Sequence, residues 1–146
     1  MTQVVRDPEF EARVRASFAR QHFMATLGAR LERVTPGEVT IALPFRPDLT
    51  QQHGYLHAGV VASVVDSACG YAALTVMEPG ADVLSVEFKV NLMAPAAGTE
   101  FLAIGRVVRS GRTLVVCSGE LRAIHNERDT VVALMQGTMM AVRPPF

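Results

Sequence analysis

The chain has 146 residues, 49% of them hydrophobic and 19% charged, with 14 basic and 14 acidic residues. This length suits one domain, and we expect residues 1–146 to form one. The formal net charge of zero and the lack of a basic cluster argue against nucleic-acid binding. The polar N-terminus has no apolar stretch of the kind found in signal peptides, so a cytoplasmic location is expected by default.

The N-terminal segment predicts a helix over residues 8–24. Asp7 is a good N-cap, and Pro8 suits the first helical position. Three apolar residues then recur at four-residue intervals and form a stripe that would pack on a core: Phe10, Val14 and Phe18. Three arginines are expected on the solvent side: Arg13, Arg15 and Arg20.

Two strands, 28–34 and 38–43, should follow, joined by a tight turn. A loop over residues 44–55 then leads to a long apolar helix, 58–77. A membrane span is rejected for this helix, because its one charged residue, Asp66, would lie near mid-bilayer at a cost of about 2.5–3.5 kcal/mol.

The two faces of this central helix differ. At about 100° per residue, bulky residues occupy one half and small residues the other, with Asp66 at the centre of the small face. Small side chains allow another backbone or a ligand to approach closely. Asp66 has two interpretations: a structural carboxylate bonded to a neighbouring loop or subunit, or a nucleophile or general base in a partly dry cleft. The residues around Asp66 do not distinguish between these two interpretations.

Four strands complete the prediction: 84–92, 100–108, 112–124 and 130–142. In the first, apolar and polar residues alternate strictly, so one face should be buried and the other polar. Cys69 and Cys117 form no disulfide framework or metal motif and are expected to be reduced core residues. The order of elements predicts an α+β fold in which a strongly curved antiparallel sheet encloses the long helix.

A motif surrounds the start of the central helix. Gln51 is followed six residues later by His57-Ala58-Gly59, and Asp66 lies nine residues after His57. This spacing resembles the signature of hotdog-fold acyl-CoA thioesterases of the phenylacetate-pathway (PaaI) type, and the resemblance covers nearly the whole chain in length and element order. One departure is that the family has glycine where this chain has Ala58.

The resemblance implies an activity and a site. Asp66 would attack the thioester carbonyl or activate water, the N–H of Ala58 would polarise the carbonyl oxygen, and Gln51 would position the water or the carbonyl. His57 and Gly59 are candidate substrate-binding residues beside them. A helix N-terminus suits this role, because its N–H groups are unpaired and its dipole is positive there. The products would be a free acid and coenzyme A, and no separate cofactor is implied.

Three further features are candidates for the same site. Some members of the family have a hydroxyl at the position of Ser85, which would assist water or substrate; the alternative is a plain serine on the polar face. Arg109 and Arg112 flank the predicted hairpin turn and would suit the phosphates of coenzyme A, unless they are solvated charges at its tip. His53 and His57 are four residues apart, but no third zinc ligand is evident nearby, so no metal site is predicted.

The spacing of Ala58 and Asp66 predicts a site shared between two chains. They are eight residues apart, about 12 Å along a helix axis, which an aspartate side chain cannot span. Two antiparallel helices can bring the N-terminus of one to the middle of the other, so we predict a homodimer with two sites. The resemblance implies the same dimer and a further pairing into tetramers. Whether Phe23 and Met24 close over the acyl pocket stays open.

Two rival functions remain. The Ala58 departure keeps open a non-catalytic acyl-CoA-binding module with the same fold. A hydratase or dehydratase ranks lower, because such enzymes usually pair a histidine with an acid, and His57 is too far from Asp66 along the same helix. Nothing in the sequence indicates which acyl group is cleaved.

Overall fold

The computed structural model describes residues 2–145. There are three α-helices: α1 (Phe10–Arg20), α2 (His22–Leu27) and α3 (Ala58–Leu74). There are six strands: β1 (Arg30–Thr35), β2 (Glu38–Pro44), β3 (Asp82–Leu92), β4 (Glu100–Ser110), β5 (Leu114–His125) and β6 (Arg128–Val142). One short 3-10 turn, Pro47–Leu49, lies in the loop before α3. Within residues 2–145, no helix is long and apolar enough to cross a membrane.

The strands form one antiparallel sheet in the order β1-β2-β4-β5-β6-β3. In this sheet, three strands separate β2 from β3, so the chain between these two strands must cross the sheet. The helix α3 makes this crossing. The helix packs against β2, β4, β5, β6 and β3 in turn. The predicted α+β hotdog fold, a curved sheet around one long helix, is confirmed.

The close approach of the sheet to α3 depends on two glycines that face each other across β4 and β5. Gly105 pairs with Gly119. A Cβ at Gly105 would lie 2.3–2.4 Å from backbone atoms of Ala68 and Cys69. A Cβ at Gly119 would lie 2.6 Å from a methyl of Val65. The glycine backbone of the sheet therefore contacts α3 near the middle of the helix, within one turn of Asp66.

Gly105→Ala should destabilise the protein strongly, because the added methyl meets helix backbone that cannot rotate away. We expect a loss of about 3 kcal/mol, the upper end for overpacked cores, and thus a fall in Tm of roughly 10 °C. Gly70→Ala is the matched control: a Cβ there meets nothing within 4 Å, and alanine favours the helix. An unchanged Tm for Gly105→Ala would mean that the sheet can move away from α3.

The N-terminal helix departs from prediction in that the segment 8–24 is not continuous. It breaks at Gln21, whose backbone is extended (φ −80°, ψ 97°). The chain then turns and continues as α2 to Leu27, which buries Met24 and Leu27 in the core. Gly28 ends α2 in the left-handed conformation (φ 72°), so the first strand begins at Arg30 rather than at residue 28.

Arg13 was expected on the solvent side, and this expectation is wrong. Its guanidinium donates to the carbonyl oxygens of Leu74 and Met77, both at 2.9 Å, and of Glu78 at 2.7 Å. It also lies 3.3 Å from the Asp7 carboxylate. Arg13 thus satisfies the last carbonyl of α3 and two carbonyls of the segment after it, since α3 ends at Leu74 instead of residue 77.

Strand β3 lies at one edge of the sheet, and α3 covers its inner face only in part. Its large apolar side chains are between 43% and 54% exposed: Leu84, Val86, Phe88 and Leu92. The sequence predicts one buried face here, and within a single chain that face is not buried. An apolar edge strand of eleven residues is a surface that proteins normally cover.

Candidate active site

His57 begins α3 and shapes its first turn. It is the N-cap residue, and its side-chain Nδ1 accepts a hydrogen bond of 2.8 Å from the N–H of Gly59. A nitrogen that accepts carries no proton, so the neutral ring holds its proton on Nε2. A Cβ on Gly59 would lie 3.0 Å from Nδ1. Gly59 therefore gives the imidazole room to cap the helix.

The N–H of Ala58 is left without an acceptor in this turn. The carbonyl oxygen of His57 accepts from Val60 and Val61, and its Nδ1 accepts from Gly59. Across residues 2–145, the Ala58 N–H donates no hydrogen bond to another backbone group. A donor at the positive end of a helix, kept free while its neighbours are bonded, suits an oxyanion.

Gln51 is held by its own loop. Its side-chain oxygen accepts from the N–H of His53 at 2.5 Å, and its backbone N–H donates to Tyr55 at 2.9 Å. With the amide oxygen occupied, the amide NH₂ of Gln51 is the group available to a substrate. A cavity of about 530 Å³ brings Gln51, His57 and Ala58 together over an apolar floor.

Asp66 lies near the middle of α3 and is half-buried. The Ser85 hydroxyl on β3 donates to its Oδ1 at 2.8 Å. Burial raises the pKa of Asp66, and the bond from Ser85 opposes part of this rise. The carboxylate thus has one oxygen held by Ser85 and a higher proton affinity than an exposed aspartate.

A bulge at Val86 places Ser85 beside Asp66. On β6, Met139 and Gly137 are buried toward α3; Ser85 pairs with Met139 and Phe88 with Gly137, and the register shifts between Ser85 and Glu87. Ser85 and Phe88 therefore share the inner face. Strict alternation predicts them on opposite faces, so the plain polar-face interpretation of Ser85 is wrong.

A second cavity, of about 320 Å³, surrounds Asp66 and Ser85. It shares no lining residue with the cavity at Ala58. One chain therefore has two separate cavities along α3, one at the helix N-terminus and one at the carboxylate. The dimer predicted from the sequence would make each of them a half-site. The axial separation of about 12 Å between Ala58 and Asp66 keeps them apart.

Comparison with known proteins identifies the family of this chain. A sequence model of the thioesterase superfamily matches residues 53–130, more than half of the chain. The chain belongs to the thioesterase superfamily. Human acyl-coenzyme A thioesterase 13 is 30% identical over 123 residues, which cover 83% of this chain and 84% of that protein. The prediction that this chain is a thioester hydrolase is confirmed.

Solved structures show the same fold. A thioesterase family protein from Silicibacter pomeroyi superposes with a TM-score of 0.91 and 49% identity, covering 92% of this chain and 99% of that one. The E. coli PaaI protein, from the phenylacetic acid degradation operon, has a TM-score of 0.82 at 19% identity over 92% of this chain and 94% of that one. The second likeness is one of fold alone.

In this thioesterase, Arg109 and Arg112 are not gathered at either half-site. Arg109 lines a cavity of about 500 Å³ with the N-terminal residues. Arg112 lines another, of about 450 Å³, together with Arg6 and Arg143. Contact of Arg109 and Arg112 with coenzyme A phosphates stays a prediction.

The two cysteines of the thioesterase are buried, reduced core residues, as predicted. Burial raises the pKa of the Cys69 thiol, and the nearby Cys117 and Asp66 raise it further. Cys69 therefore stays protonated although it is close to Asp66 along α3, and it is unsuited to act as a nucleophile. Within residues 2–145, no three His, Cys, Asp or Glu side chains lie close enough to hold a metal ion.

Sequence reasoning missed several residues of the Asp66 cavity that the fold brings in from a distance, among them Ser17, Gln21 and Asp82. Gln21, at the break between α1 and α2, lines this cavity, and its side-chain oxygen accepts from the Ser67 hydroxyl at 3.4 Å. No proline or glycine marks the break, so the sequence carries no local signal for it.

Ser85→Ala should shift the acid limb of the pH–rate profile of kcat/KM to higher pH. The lost hydrogen bond favours the ionised carboxylate, so its removal lets burial raise the pKa of Asp66 further. Thiol release measured across pH checks this. Ser118→Ala, a serine on the outer face of β5, should leave the limb in place. If the acid limb of the pH–rate profile does not move in Ser85→Ala, the Ser85 hydroxyl has no effect on the titration of Asp66.

Proposed function

We propose that this protein is an acyl-CoA thioesterase of the PaaI type, which hydrolyses the thioester to a free acid and coenzyme A. Human acyl-coenzyme A thioesterase 13, with its 30% identity, supports the substrate class. The observation that carries the proposal is the pairing of two features on α3: a carboxylate held by Ser85, and an unbonded N–H at Ala58.

In the proposed reaction, Asp66 supplies the base or the nucleophile. As a base, its carboxylate takes a proton from water while the water oxygen attacks the thioester carbonyl. The carbonyl oxygen becomes an oxyanion, which the Ala58 N–H of the partner stabilises, and the Gln51 amide orients the water or the carbonyl. Collapse breaks the C–S bond, and the thiolate leaves and takes up a proton as coenzyme A. As a nucleophile, Asp66 would form an anhydride that water then cleaves.

Assembly of the site requires a second copy of the chain. The proposed homodimer covers the apolar edge of β3 and sets two α3 helices antiparallel, so that Ala58 of one copy meets Asp66 of the other. The exposed apolar side chains of β3, which include Phe88 and Leu92, support this surface. Dimers of this kind would pair again into tetramers.

The alternative of a non-catalytic acyl-CoA-binding module rested on Ala58 in place of glycine. The backbone N–H is the group that the chemistry needs, and it is unbonded here whatever the side chain. The methyl group narrows the Ala58 cavity but removes no donor. The hydrolase is therefore the better supported function.

The proposed phosphate contacts involve Arg112 with two arginines that the sequence did not single out. Arg6 and Arg143 line the same cavity as Arg112, where Glu78 is the one acidic lining residue. Ala81 lines it too, directly before Asp82 in the Asp66 cavity. Three guanidinium groups close to the half-site would favour a phosphate, because arginine matches its geometry.

A thiol-release assay on a panel of acyl-CoAs tests the function. We expect turnover of at least one acyl class, with the same acyl groups on a small thiol cleaved less efficiently, because the coenzyme A contacts are lost. If the protein is a folded dimer and releases no thiol from any acyl-CoA, the hydrolase is excluded and the non-catalytic acyl-CoA-binding module is the remaining function.

A further inference from the structure

The cavity at Asp66 is more polar than a hydrocarbon chain requires. All of its lining residues except Gly70 and Val83 carry a polar or charged side chain. The cavity at Ala58, by contrast, is lined mainly by apolar residues, among them Leu56, Val61 and Leu92. If one half of the shared site selects a polar group, it is the half that contains Asp66.

Gln21 presents a hydrogen-bond donor to this polar cavity. Its side-chain oxygen accepts from Ser67, the residue directly after Asp66, which orients its NH₂ group away from that bond. Within residues 2–145, the NH₂ group donates no hydrogen bond to the protein, and the side chain is partly buried. A half-buried amide with an unused donor can bind an oxygen that enters the cavity.

The charges of the cavity select among oxygen-bearing groups. Asp66 and Asp82 contribute two carboxylates against one guanidinium, that of Arg20. The net negative charge of the cavity repels a carboxylate on the acyl group but does not repel a neutral hydroxyl. With a volume of about 320 Å³, against about 530 Å³ for the cavity at Ala58, this cavity favours a compact group.

We infer that Gln21 is a specificity-determining residue, whose amide NH₂ donates to a neutral oxygen on a short acyl group. Gln21 lies at the break between α1 and α2, and its side chain contacts Ser67 of α3. This inference rests on the proposed function, because it takes the group in the Asp66 cavity to be the acyl group of a thioester.

The test compares Gln21→Met with wild type on butanoyl-CoA and its 2-hydroxy and 3-hydroxy derivatives. Methionine keeps the length and removes the donor. Wild type should favour a hydroxylated substrate in kcat/KM by roughly 10-fold, the effect of one hydrogen bond. Gln21→Met should abolish that preference and change kcat/KM for butanoyl-CoA by less than about 3-fold. Gln136→Met, on the exposed outer face of β6, should keep the preference.

The possible outcomes separate the inference from the proposed function. An equal loss on all three substrates, or an unchanged preference in Gln21→Met, overturns the role of Gln21 while the hydrolase stands. If no acyl-CoA is cleaved, the proposed function falls, and Gln21 is judged by calorimetry with S-butyl-CoA and S-(3-hydroxybutyl)-CoA, thioethers that resist hydrolysis. A preference for the hydroxylated thioether that Gln21→Met abolishes then supports the donor, and equal affinities overturn it.

Discussion

Asp66→Asn should lower kcat for thioester hydrolysis by roughly 10³-fold, because asparagine keeps the shape and cannot act as base or anionic nucleophile. Single-turnover thiol release on the best substrate of the panel measures the effect. The Ser85 hydroxyl can still donate to the asparagine oxygen, so the cavity should keep its geometry. Turnover near the wild-type rate would remove Asp66 from the chemistry.

The same variant should be at least as stable as wild type at neutral pH. Burial raises the pKa of Asp66 in the folded chain above that in the unfolded chain, so the folded state prefers the protonated form. The free energy of unfolding of wild type therefore falls as pH rises through the folded pKa of Asp66. Asparagine has no such penalty. Thermal melts at several pH values check the sign, and a lower Tm for Asp66→Asn at neutral pH would contradict it.

Ala58→Pro should lower kcat by roughly 10²- to 10³-fold, the usual effect of losing one oxyanion donor. Proline suits this position, because Ala58 is the first residue of α3 and its N–H has no protein acceptor to lose. His57 already has the extended backbone that precedes proline (φ −61°, ψ 140°). The Tm should therefore stay close to that of wild type.

Ala58→Gly is the matched control, since it keeps the N–H and removes only the methyl group. It should retain activity. If Ala58→Pro is also active with an unchanged Tm, the oxyanion is stabilised elsewhere.

The two inactive variants should rescue each other when they are mixed and allowed to exchange subunits. In a mixed dimer, Asp66 of the Ala58→Pro chain faces Ala58 of the Asp66→Asn chain, which restores one site of two. Random exchange then returns about one quarter of wild-type activity. A mixture that stays as inactive as its components would place both groups of one site in the same chain.

Much of the fold could be predicted because it depends on regular patterns. The small face of α3 and the alternating burial in β4 and β5 follow from periods of 3.6 and 2 residues, which side-chain burial imposes directly. The spacing of Gln51, His57 and Asp66 predicts the candidate site residues, and α3 places Ala58 and Asp66 in separate cavities.

The unpredicted features arise from tertiary contacts that leave no local pattern. Arg13 has the spacing of a solvent-facing residue and caps α3 because that helix ends beside it. The bulge at Val86 reverses the face of Ser85, although the residues alternate without interruption. The break at Gln21 lies within good helical periodicity and is fixed by the burial of Met24 and Leu27. In each case, packing overrides the local preference.

The exposed edge of β3 has a consequence for how the enzyme responds to its own concentration. Because each copy carries only half of the proposed site, an isolated chain has no complete catalytic unit. When the protein concentration is near the dissociation constant of the dimer, the rate of hydrolysis should rise faster than linearly with added protein. Dilution below that concentration should inactivate the enzyme reversibly. The cellular level of the chain, and not only that of its substrate, would then determine flux through the reaction.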